Sequence, residues 1–493
     1  MFQNIILNKQ QLKNLLITLI IVSSCPKLYA KNLWKFLPQP KQSYLFSEYV
    51  YVNSQSKLNI PFEFKKHYKS VFYEFQNVLK TINNGGKSVS INARIVALAY
   101  KNLPVFNNYE GYMIKIDAKN VEISSPSLRG LLYGLTYLEG IALKNNGKIQ
   151  KGTIENWPDL KIRALHIGEF FSKKELKDWI KKMRFSHFNT LVIRLGKPRT
   201  NIIALKRFKL FPEKLTINWF LKIKECINIQ DFQEIVKYAK ENGLDLVPEI
   251  KFLTHQEKFI ADTYPEFMFN KLTYDPQNEK LYTNVIFPLL NDIIEIVHPK
   301  AIHIGHDEVA GRERAFFRKN LNPWEVMLPA DLFLKDVIKL HDYLKRQGIK
   351  TWMWGDMLLS QKEFPTMLKR HLHGVKEYNK LRKLLPKDIV ICDWHYFDEK
   401  KDFPSSFAFI KEGYRVIGVT WFKEDTIKNF TKYIANLPYN NLGMMATTWK
   451  GALRKKIKQK GIKDNQKIKL IANQIIDEII KKSGNIFWNT SNN

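Results

Sequence analysis

The chain has 493 residues, of which 45% are hydrophobic and 13% aromatic, and this composition excludes a disordered protein. With only three cysteines it also excludes a disulfide-stabilised module. The formal charge of +32 is carried mostly by lysine along nearly the whole chain, and no recognised nucleic-acid motif accompanies it. We therefore interpret the charge as a solvated basic surface that also attracts anionic envelope polymers, in preference to a nucleic-acid interface.

The first thirty residues are typical of an export signal. Lys9 and Lys13 precede an apolar run at 15–22 that is too short to anchor the chain in a bilayer. Two cleavage positions remain open: before Cys25, as in a bacterial lipoprotein, or after Ala30 by an ordinary signal peptidase. We expect a bacterial protein that is periplasmic, extracellular or anchored to the envelope through lipidated Cys25. The other two cysteines, Cys226 and Cys392, are expected to be buried thiols.

Residues 31–156 predict a small α+β domain with short strands and one helix. We expect the strands at 89–91, 112–116 and 121–124. The helix is expected at 128–143, with Ser127 as its N-cap. Trp157 and Pro158 interrupt the pattern, so the boundary with the next domain is placed there.

Residues 157–485 alternate strand-like and helix-like runs, which predicts an eight-stranded parallel (β/α)8 TIM barrel and an α/β fold class. The expected strands are 163–167, 190–195, 244–250, 301–305, 350–354, 389–394, 416–421 and 444–449. The expected helices are 173–183, 231–241, 284–296, 330–346, 405–412, 425–435 and 464–481. A further short helix is expected after the fifth strand.

The fourth of these strands ends on Gly305 and is followed at once by His306, Asp307 and Glu308. A barrel places its active site at the carboxyl ends of its strands, where both carboxylates can face one cavity. Two close carboxylates do not ionise equally easily, so one keeps a proton that it can donate. By itself the pair is more simply explained as a solvated acidic turn, and the surrounding strands decide against that interpretation.

Other strand ends carry the residue types that a sugar site requires. Aromatic faces cover the C–H face of a pyranose, while carboxylates bind hydroxyls and transfer protons. Any single tryptophan is equally well explained as a core residue. The candidates are Glu249, Trp354, Asp356, Asp393, Trp394, Tyr396, Trp421 and Trp449.

These segments together resemble the family 20 glycoside hydrolases, the β-N-acetylhexosaminidases, of which this chain looks like a divergent member. The resemblance covers nearly the whole chain after the signal, and its most specific motif is His-Ile-Gly-His-Asp-Glu at 303–308. The supporting motifs are Val-Pro-Glu-Ile at 247–250 with His255, Trp-Met-Trp-Gly-Asp-Met at 352–357, Asp-Trp-His-Tyr at 393–396 and Ala-Thr-Thr-Trp at 446–449.

The resemblance implies an exo-acting enzyme that removes terminal β-linked N-acetylhexosamine by substrate-assisted retaining catalysis, without a metal or organic cofactor. Glu308 would be the general acid and base, and Asp307 would orient the acetamido group. Tyr396 would bond the acetamido carbonyl, and Trp354, Trp394 and Trp449 would wall the pocket. Further expected substrate contacts are His255, His306, Asp356, Trp421 and Glu249.

Several positions depart from the family pattern. Gly168 and Phe171 stand where most members carry an Asp and an Arg that grip the sugar, and Lys450-Gly451 replaces a carboxylate after the eighth-strand Trp. Lys251 stands where an Asp is common, and His306 where a Gly is usual. Substrate identity is therefore more open than reaction type, and His166 and Glu169 are possible substitutes for the lost contacts.

Two alternatives remain besides nucleic-acid binding. The chain could be a catalytically weak glycan-binding lipoprotein that keeps the fold, although binding alone does not require an adjacent acid pair. It could also be a retaining glycosidase that uses Glu249 as nucleophile and Glu308 as acid, which predicts a carboxyl separation of roughly 5 to 5.5 Å.

Overall fold

A computed structural model describes residues 32–169, 172–195, 229–256, 260–311, 321–375, 377–437 and 441–490. The expected export signal with Cys25 lies outside the described residues, as do Phe171 and Cys226. Among the described helices, none is both long and apolar enough to span a bilayer.

The N-terminal part forms one mixed six-stranded sheet with its own apolar core. In spatial order its strands are Gln42–Tyr51, Lys148–Asn156, Tyr112–Ile116, Asn120–Ser125, Ser90–Ile95 and Leu58–Asn59. Its α-helices are Phe62–His67, Lys69–Thr81 and Leu128–Lys144. Ser127 does cap the last of these, because its hydroxyl accepts from the Gly130 N–H at 3.0 Å.

The sequence prediction of a single helix in this part was wrong. The helix Lys69–Thr81 buries Val71, Phe75 and Leu79, which recur every fourth residue along one face. The first strand also went unrecognised, because eight of its ten residues are exposed and it therefore lacks the alternation of a half-buried strand.

The predicted eight-stranded parallel barrel is confirmed. Each strand pairs with the next along the chain, and the eighth pairs with the first to close the barrel. In order the strands are Ile162–Ile167, Thr190–Leu195, Asp245–Phe252, Ala301–Gly305, Lys350–Trp354, Val390–Trp394, Arg415–Thr420 and Asn441–Thr447. Three have the predicted bounds, and the others differ by one to three residues at an end.

Helices surround the barrel and shield its apolar strands. The longer ones are Lys173–Phe185, Ile229–Glu241, Phe287–Val297, Ala330–Arg346, Pro404–Lys411, Glu424–Asn436, Lys450–Gln459 and Asn465–Trp488. The segment after the third strand contains two short helices, Ile260–Thr263 and Glu279–Leu281, and a π-turn at Tyr282–Ile286. It also contains a hairpin of Met268–Asn270 with Thr273–Tyr274. Between the fifth and sixth strands, where one short helix was expected, the described residues form three short 3-10 turns, at Asp356–Leu358, Lys369–His371 and Tyr378–Lys383.

A buried arginine joins the barrel to the N-terminal sheet domain. Arg163, on the first barrel strand, donates to Glu110 of the sheet domain and to the backbone carbonyls of Leu160 and His187. Burial alone would raise the pKa of Glu110, but Arg163 and Arg129 outweigh it and lower that pKa. The two parts are thus held together by a largely buried charge network.

We predict that Arg163→Met lowers the free energy of unfolding by about 3–5 kcal/mol, because Glu110 loses its buried cation and keeps only the more exposed Arg129. Urea denaturation followed by tryptophan fluorescence measures the change. The matched control is Lys345→Met, whose pair with Asp388 is 62% and 50% exposed. That control should cost no more than about 1 kcal/mol, and equal losses in the two variants would contradict the role of Arg163.

Candidate active site

The turn after the fourth barrel strand has an unusual backbone. Gly305, His306 and Glu308 have φ values of 79°, 67° and 52°, in the left-handed region that non-glycine residues rarely adopt. Two hydrogen bonds hold the turn: Thr254 Oγ1 donates to the Asp307 carbonyl at 2.8 Å, and the Glu308 N–H donates to Asp356 Oδ2 at 3.0 Å. The turn is therefore fixed from the third and the fifth strand segments.

Asp307 is clamped by a lysine. Lys251 Nζ lies 2.7 Å from both carboxylate oxygens of Asp307 and 3.4 Å from Glu249 Oε1. Burial alone would raise the pKa of Asp307, but the Lys251 ammonium and His255 outweigh it and hold the pKa well below its usual range. Asp307 is therefore held in its ionised form.

His255 reaches both carboxylates. Its Nε2 lies 3.4 Å from Asp307 Oδ2 and 3.7 Å from Glu308 Oε2. The side chain of Glu308 is 28% exposed, twice the 14% of Asp307, so Glu308 is the acid more accessible to a ligand. The structure thus brings together three of the predicted site residues from the ends of two strands.

Glu249 lies beneath this cluster, out of reach of a ligand. Its side chain is fully buried, His166 Nε2 lies 2.6 Å from Oε2, and Trp354 Nε1 donates to Oε1 at 3.0 Å. Burial raises the pKa of Glu249, but Lys251 and His166 outweigh it and hold the pKa well below its usual range. Both oxygens of Glu249 are already bonded within the protein, which does not favour its predicted contact with the sugar.

Asp356 is likewise occupied by protein groups. Besides the Glu308 N–H, it accepts from Trp394 Nε1 at 3.2 Å, and His373 Nδ1 lies 2.6 Å from Oδ2. Only 2% of Asp356 is exposed. Asp356 therefore fixes the Glu308 backbone and the Trp394 ring, and its predicted sugar contact stays a prediction.

The predicted aromatic wall divides into exposed and buried members. Trp394 and Trp449 are half-buried. Tyr396 stacks on Trp394 with centroids 4.9 Å apart, and its hydroxyl accepts from Trp449 Nε1 at 3.0 Å. Trp354 and Trp421 are almost fully buried, which makes them less accessible to a sugar than Trp394 and Trp449; their predicted contact with a sugar stays a prediction.

His306 turns away from the cluster. Its Nε2 lies 2.7 Å from Asp336 Oδ2, its Nδ1 lies 3.0 Å from the Ile304 carbonyl, and the ring is fully buried. Tyr274 and Tyr282 donate to the same Asp336 carboxylate. The ring therefore belongs to a buried polar network behind the turn, and this placement does not favour the predicted contact with substrate.

Sequence reasoning missed two cations at this site. From the sequence Lys251 is only a departure from the family pattern, whereas its contacts in the structure make it the partner of two acids, Glu249 and Asp307. Arg194, on the second strand, is 8% exposed, and its guanidinium lies 5.7 Å from the Trp449 ring centroid. A charged residue inside the apolar run Leu-Val-Ile-Arg-Leu is the signal that could have indicated it.

The two proposed substitutes at the first strand have different surroundings. His166 is fully buried against Glu249 and lies 4.8 Å from the Trp449 ring, so it supports the wall. Glu169 stands over the start of the helix Lys450–Gln459, where a Cβ on Gly451 would lie 2.4 Å from its Oε2.

Among the described residues, two groups of three side chains could hold a metal ion. In the first, His255, Asp307 and Glu308, the Lys251 ammonium already contacts both Asp307 oxygens. The second, His371, His395 and Asp398, is buried, with His371 packing on Trp394 at 4.9 Å. The acidic cluster therefore already contains its cation.

Comparison with known proteins gives consistent matches. Residues 166–460, more than half of the chain, match the family described as glycosyl hydrolase family 20, catalytic domain. The chain is 22% identical to a lacto-N-biosidase of Bifidobacterium bifidum and 22% identical to beta-hexosaminidase 1 of Coccidioides posadasii. These matches cover 63% and 64% of this chain but only 26% and 55% of the relatives' own lengths.

A solved structure gives the same fold. The crystal structure of a beta-N-acetylhexosaminidase from Bacteroides fragilis superposes with a TM-score of 0.67 at 16% identity, over 93% of this chain and 92% of the other. The match includes the part before the barrel, so the two-part architecture is shared.

We predict that Asp336→Asn lowers the free energy of unfolding by about 1–3 kcal/mol, because His306 and two tyrosine hydroxyls lose a charged acceptor. The KM for a glycoside substrate should be unchanged, since His306 faces away from the site. The control is Asp342→Asn at an exposed position of the same helix, which should change neither quantity. A large rise in KM for Asp336→Asn would contradict the placement of His306.

Proposed function

Since the chain belongs to glycosyl hydrolase family 20 and is a hexosaminidase-like glycoside hydrolase, we propose that it releases terminal β-linked N-acetylhexosamine from a glycan by substrate-assisted catalysis. The observation that carries the proposal is the pairing of an ionised, clamped Asp307 with a more exposed Glu308 beside it. One acid and one fixed anion are what this mechanism asks of the enzyme.

In the first step the acetamido oxygen of the substrate forms a bond to the anomeric carbon as the glycosidic C–O bond breaks. Glu308 gives its proton to the leaving oxygen, and an oxazolinium-like intermediate results. In the second step Glu308 takes a proton from water, the water oxygen bonds to the anomeric carbon, and the oxazolinium ring opens. Two inversions give overall retention.

Asp307 would accept the acetamido N–H and stabilise the positive charge that develops beside it. Lys251 has two opposing effects on this role. It keeps Asp307 ionised and fixes the position of its carboxylate, but it also neutralises part of the charge. We therefore assign Asp307 chiefly to orienting the acetamido group, which contributes through the effective molarity of the internal nucleophile.

The aromatic residues would hold the sugar ring. Tyr396 already accepts from Trp449 Nε1, so its own proton can be donated to the acetamido carbonyl. Burial raises the pKa of Tyr396, which keeps that hydroxyl protonated. Trp394 and Trp449 would cover the two sides of the acetamido pocket.

The alternatives gain less support from the geometry. A Glu249 nucleophile is disfavoured because both of its oxygens are bonded within the protein and the side chain is fully buried. A glycan-binding protein without activity has no need for the strained turn that presents Asp307 and Glu308. Export, with or without lipidation of Cys25, remains part of the proposal and rests on residues 1–30 alone.

We predict that the enzyme hydrolyses aryl N-acetyl-β-glucosaminide or N-acetyl-β-galactosaminide and leaves the matching plain β-glucoside intact. Glu308→Gln and Asp307→Asn should each lower kcat by about 10²–10⁴-fold, the range for a lost general acid or its electrostatic partner. The control is Glu295→Gln, at an exposed carboxylate on the helix Phe287–Val297, which should leave kcat unchanged. Equal turnover of the plain glucoside would exclude acetamido participation.

We predict that Lys251→Met moves the acidic limb of the kcat/KM profile to higher pH by at least about one unit. The sign follows from the clamp: Lys251 lowers the pKa of Asp307, so its removal lets Asp307 take up a proton at higher pH. Lys182→Met, which removes a buried lysine of the same kind far from the site, should leave the profile in place. An unmoved limb in Lys251→Met would contradict the assignment of Asp307.

A further inference from the structure

Four rim segments of the barrel converge beside the aromatic wall and form a cluster of cations and rings. Arg370 comes from the turn Lys369–His371 after the fifth strand, and Phe397 follows the sixth. Trp421 and Phe422 follow the seventh strand, and Lys456 lies on the helix Lys450–Gln459 after the eighth. We call these five residues the rim cluster.

The rim cluster adjoins the proposed acetamido pocket. The ring centroid of Tyr396, a pocket residue, lies 6.3 Å from that of Phe397 and 5.9 Å from that of Trp421, so Tyr396 connects the pocket to the rim cluster. Phe397 and Phe422 are half-buried and therefore present part of their faces to solvent. A sugar next to one bound in the pocket would meet these rings.

The two cations are held on the rings. The Arg370 guanidinium lies 4.5 Å from the Phe397 centroid, and Lys456 Nζ lies 5.1, 5.0 and 4.9 Å from the centroids of Phe397, Trp421 and Phe422. Because both contact one ring, the charges lie within about 10 Å of each other. This is a span that one monosaccharide with a charged substituent can cover.

Among the described residues, no carboxylate pairs with either of these two cations. Lys423, the nearby third cation, pairs with Glu399. Across the part of the chain that the structure describes, neither Arg370 nor Lys456 forms an ion pair. Partial burial, with Arg370 and Lys423 adding to it, lowers the pKa of Lys456, which is the direction expected for cations that repel one another.

We propose that the rim cluster is a subsite for an acidic sugar, whose ring packs on Phe397 and Phe422 while its carboxylate or sulfate group faces Arg370 and Lys456. An anion there relieves the repulsion between the two cations and gains charge-assisted hydrogen bonds. The aromatic faces supply stacking for the C–H side of the sugar. The inference rests on the proposed function, because it identifies the substrate as a glycan in which N-acetylhexosamine neighbours an acidic residue.

The test compares three disaccharides that end in β-N-acetylglucosamine: one linked to a neutral N-acetylglucosamine, one to a uronic acid and one to a 6-sulfated sugar. The wild-type enzyme should show a kcat/KM at least about tenfold higher for one or both acidic substrates, with the difference in KM. Preference for the uronate alone, or for the sulfate alone, identifies which anion the subsite accepts. Sodium chloride at about 1 M should reduce the preference, because these charges are partly exposed.

Variants separate the subsite from the pocket. Lys456→Met keeps the aliphatic packing on the rings and should lower the preference about tenfold, Arg370→Gln should act in the same direction, and the double variant should lose it. All should hydrolyse the neutral substrate at the wild-type rate, which also shows that they fold. The control is Lys455→Met, an exposed neighbour on the same helix, which should keep the preference.

Three results would each overturn the subsite. One is equal kcat/KM for neutral and acidic substrates in the wild-type enzyme. The others are a preference for acidic substrates that survives in the double variant, and a preference that is lost equally in Lys455→Met. In each case continued hydrolysis of the neutral disaccharide would leave the proposed function standing. If neither the N-acetylglucosaminides nor the aryl N-acetyl-β-galactosaminide is hydrolysed, the proposed function fails, and the subsite fails with it.

Discussion

The candidate site depends on one buried ammonium group. Lys251 Nζ lies between Glu249 and Asp307, at the ends of the third and fourth barrel strands, and both acids are largely or fully removed from water. Two buried carboxylates without a cation would repel each other and take up protons. With Lys251 between them both stay ionised, and Asp307 is fixed at the barrel rim where an acetamido group can meet it.

Other contacts hold the turn that carries Asp307 and Glu308 in place. The left-handed turn at His306 and Glu308 is strained, and hydrogen bonds from Thr254 and Asp356 hold it on either side. Asp356 also binds Trp394, so the backbone of the proposed acid and one aromatic wall share a single buried anchor. A change at any of these positions would move the Glu308 carboxyl relative to the Trp394 ring.

Periodicity was enough to predict the barrel, because its strands are apolar runs separated by amphipathic helices, and the gathering of acids and aromatics at strand ends followed from that topology. Which strand-end side chains are bonded within the protein could not be predicted. Glu249, Asp356 and His306 are residue types that bind sugars elsewhere. Here each is hydrogen-bonded to a partner distant in sequence, such as Trp354 or Asp336. Which strand-end side chain faces the cavity depends on such pairings, and those appear only when the chain is folded. The exposed first strand and the 3-10 turns after the fifth strand were missed because neither has an apolar period.

In the mechanism that we propose, the substrate's own acetamido oxygen is the nucleophile. This mechanism is tested most directly with aryl 2-acylamido-β-glucosides whose acyl group carries none, one, two or three fluorine atoms, since each fluorine withdraws electrons from the carbonyl oxygen while changing its size little. We predict that kcat/KM falls steeply and progressively along the series. Equal rates across the four substrates would contradict it, and would return the search for a nucleophile to the protein.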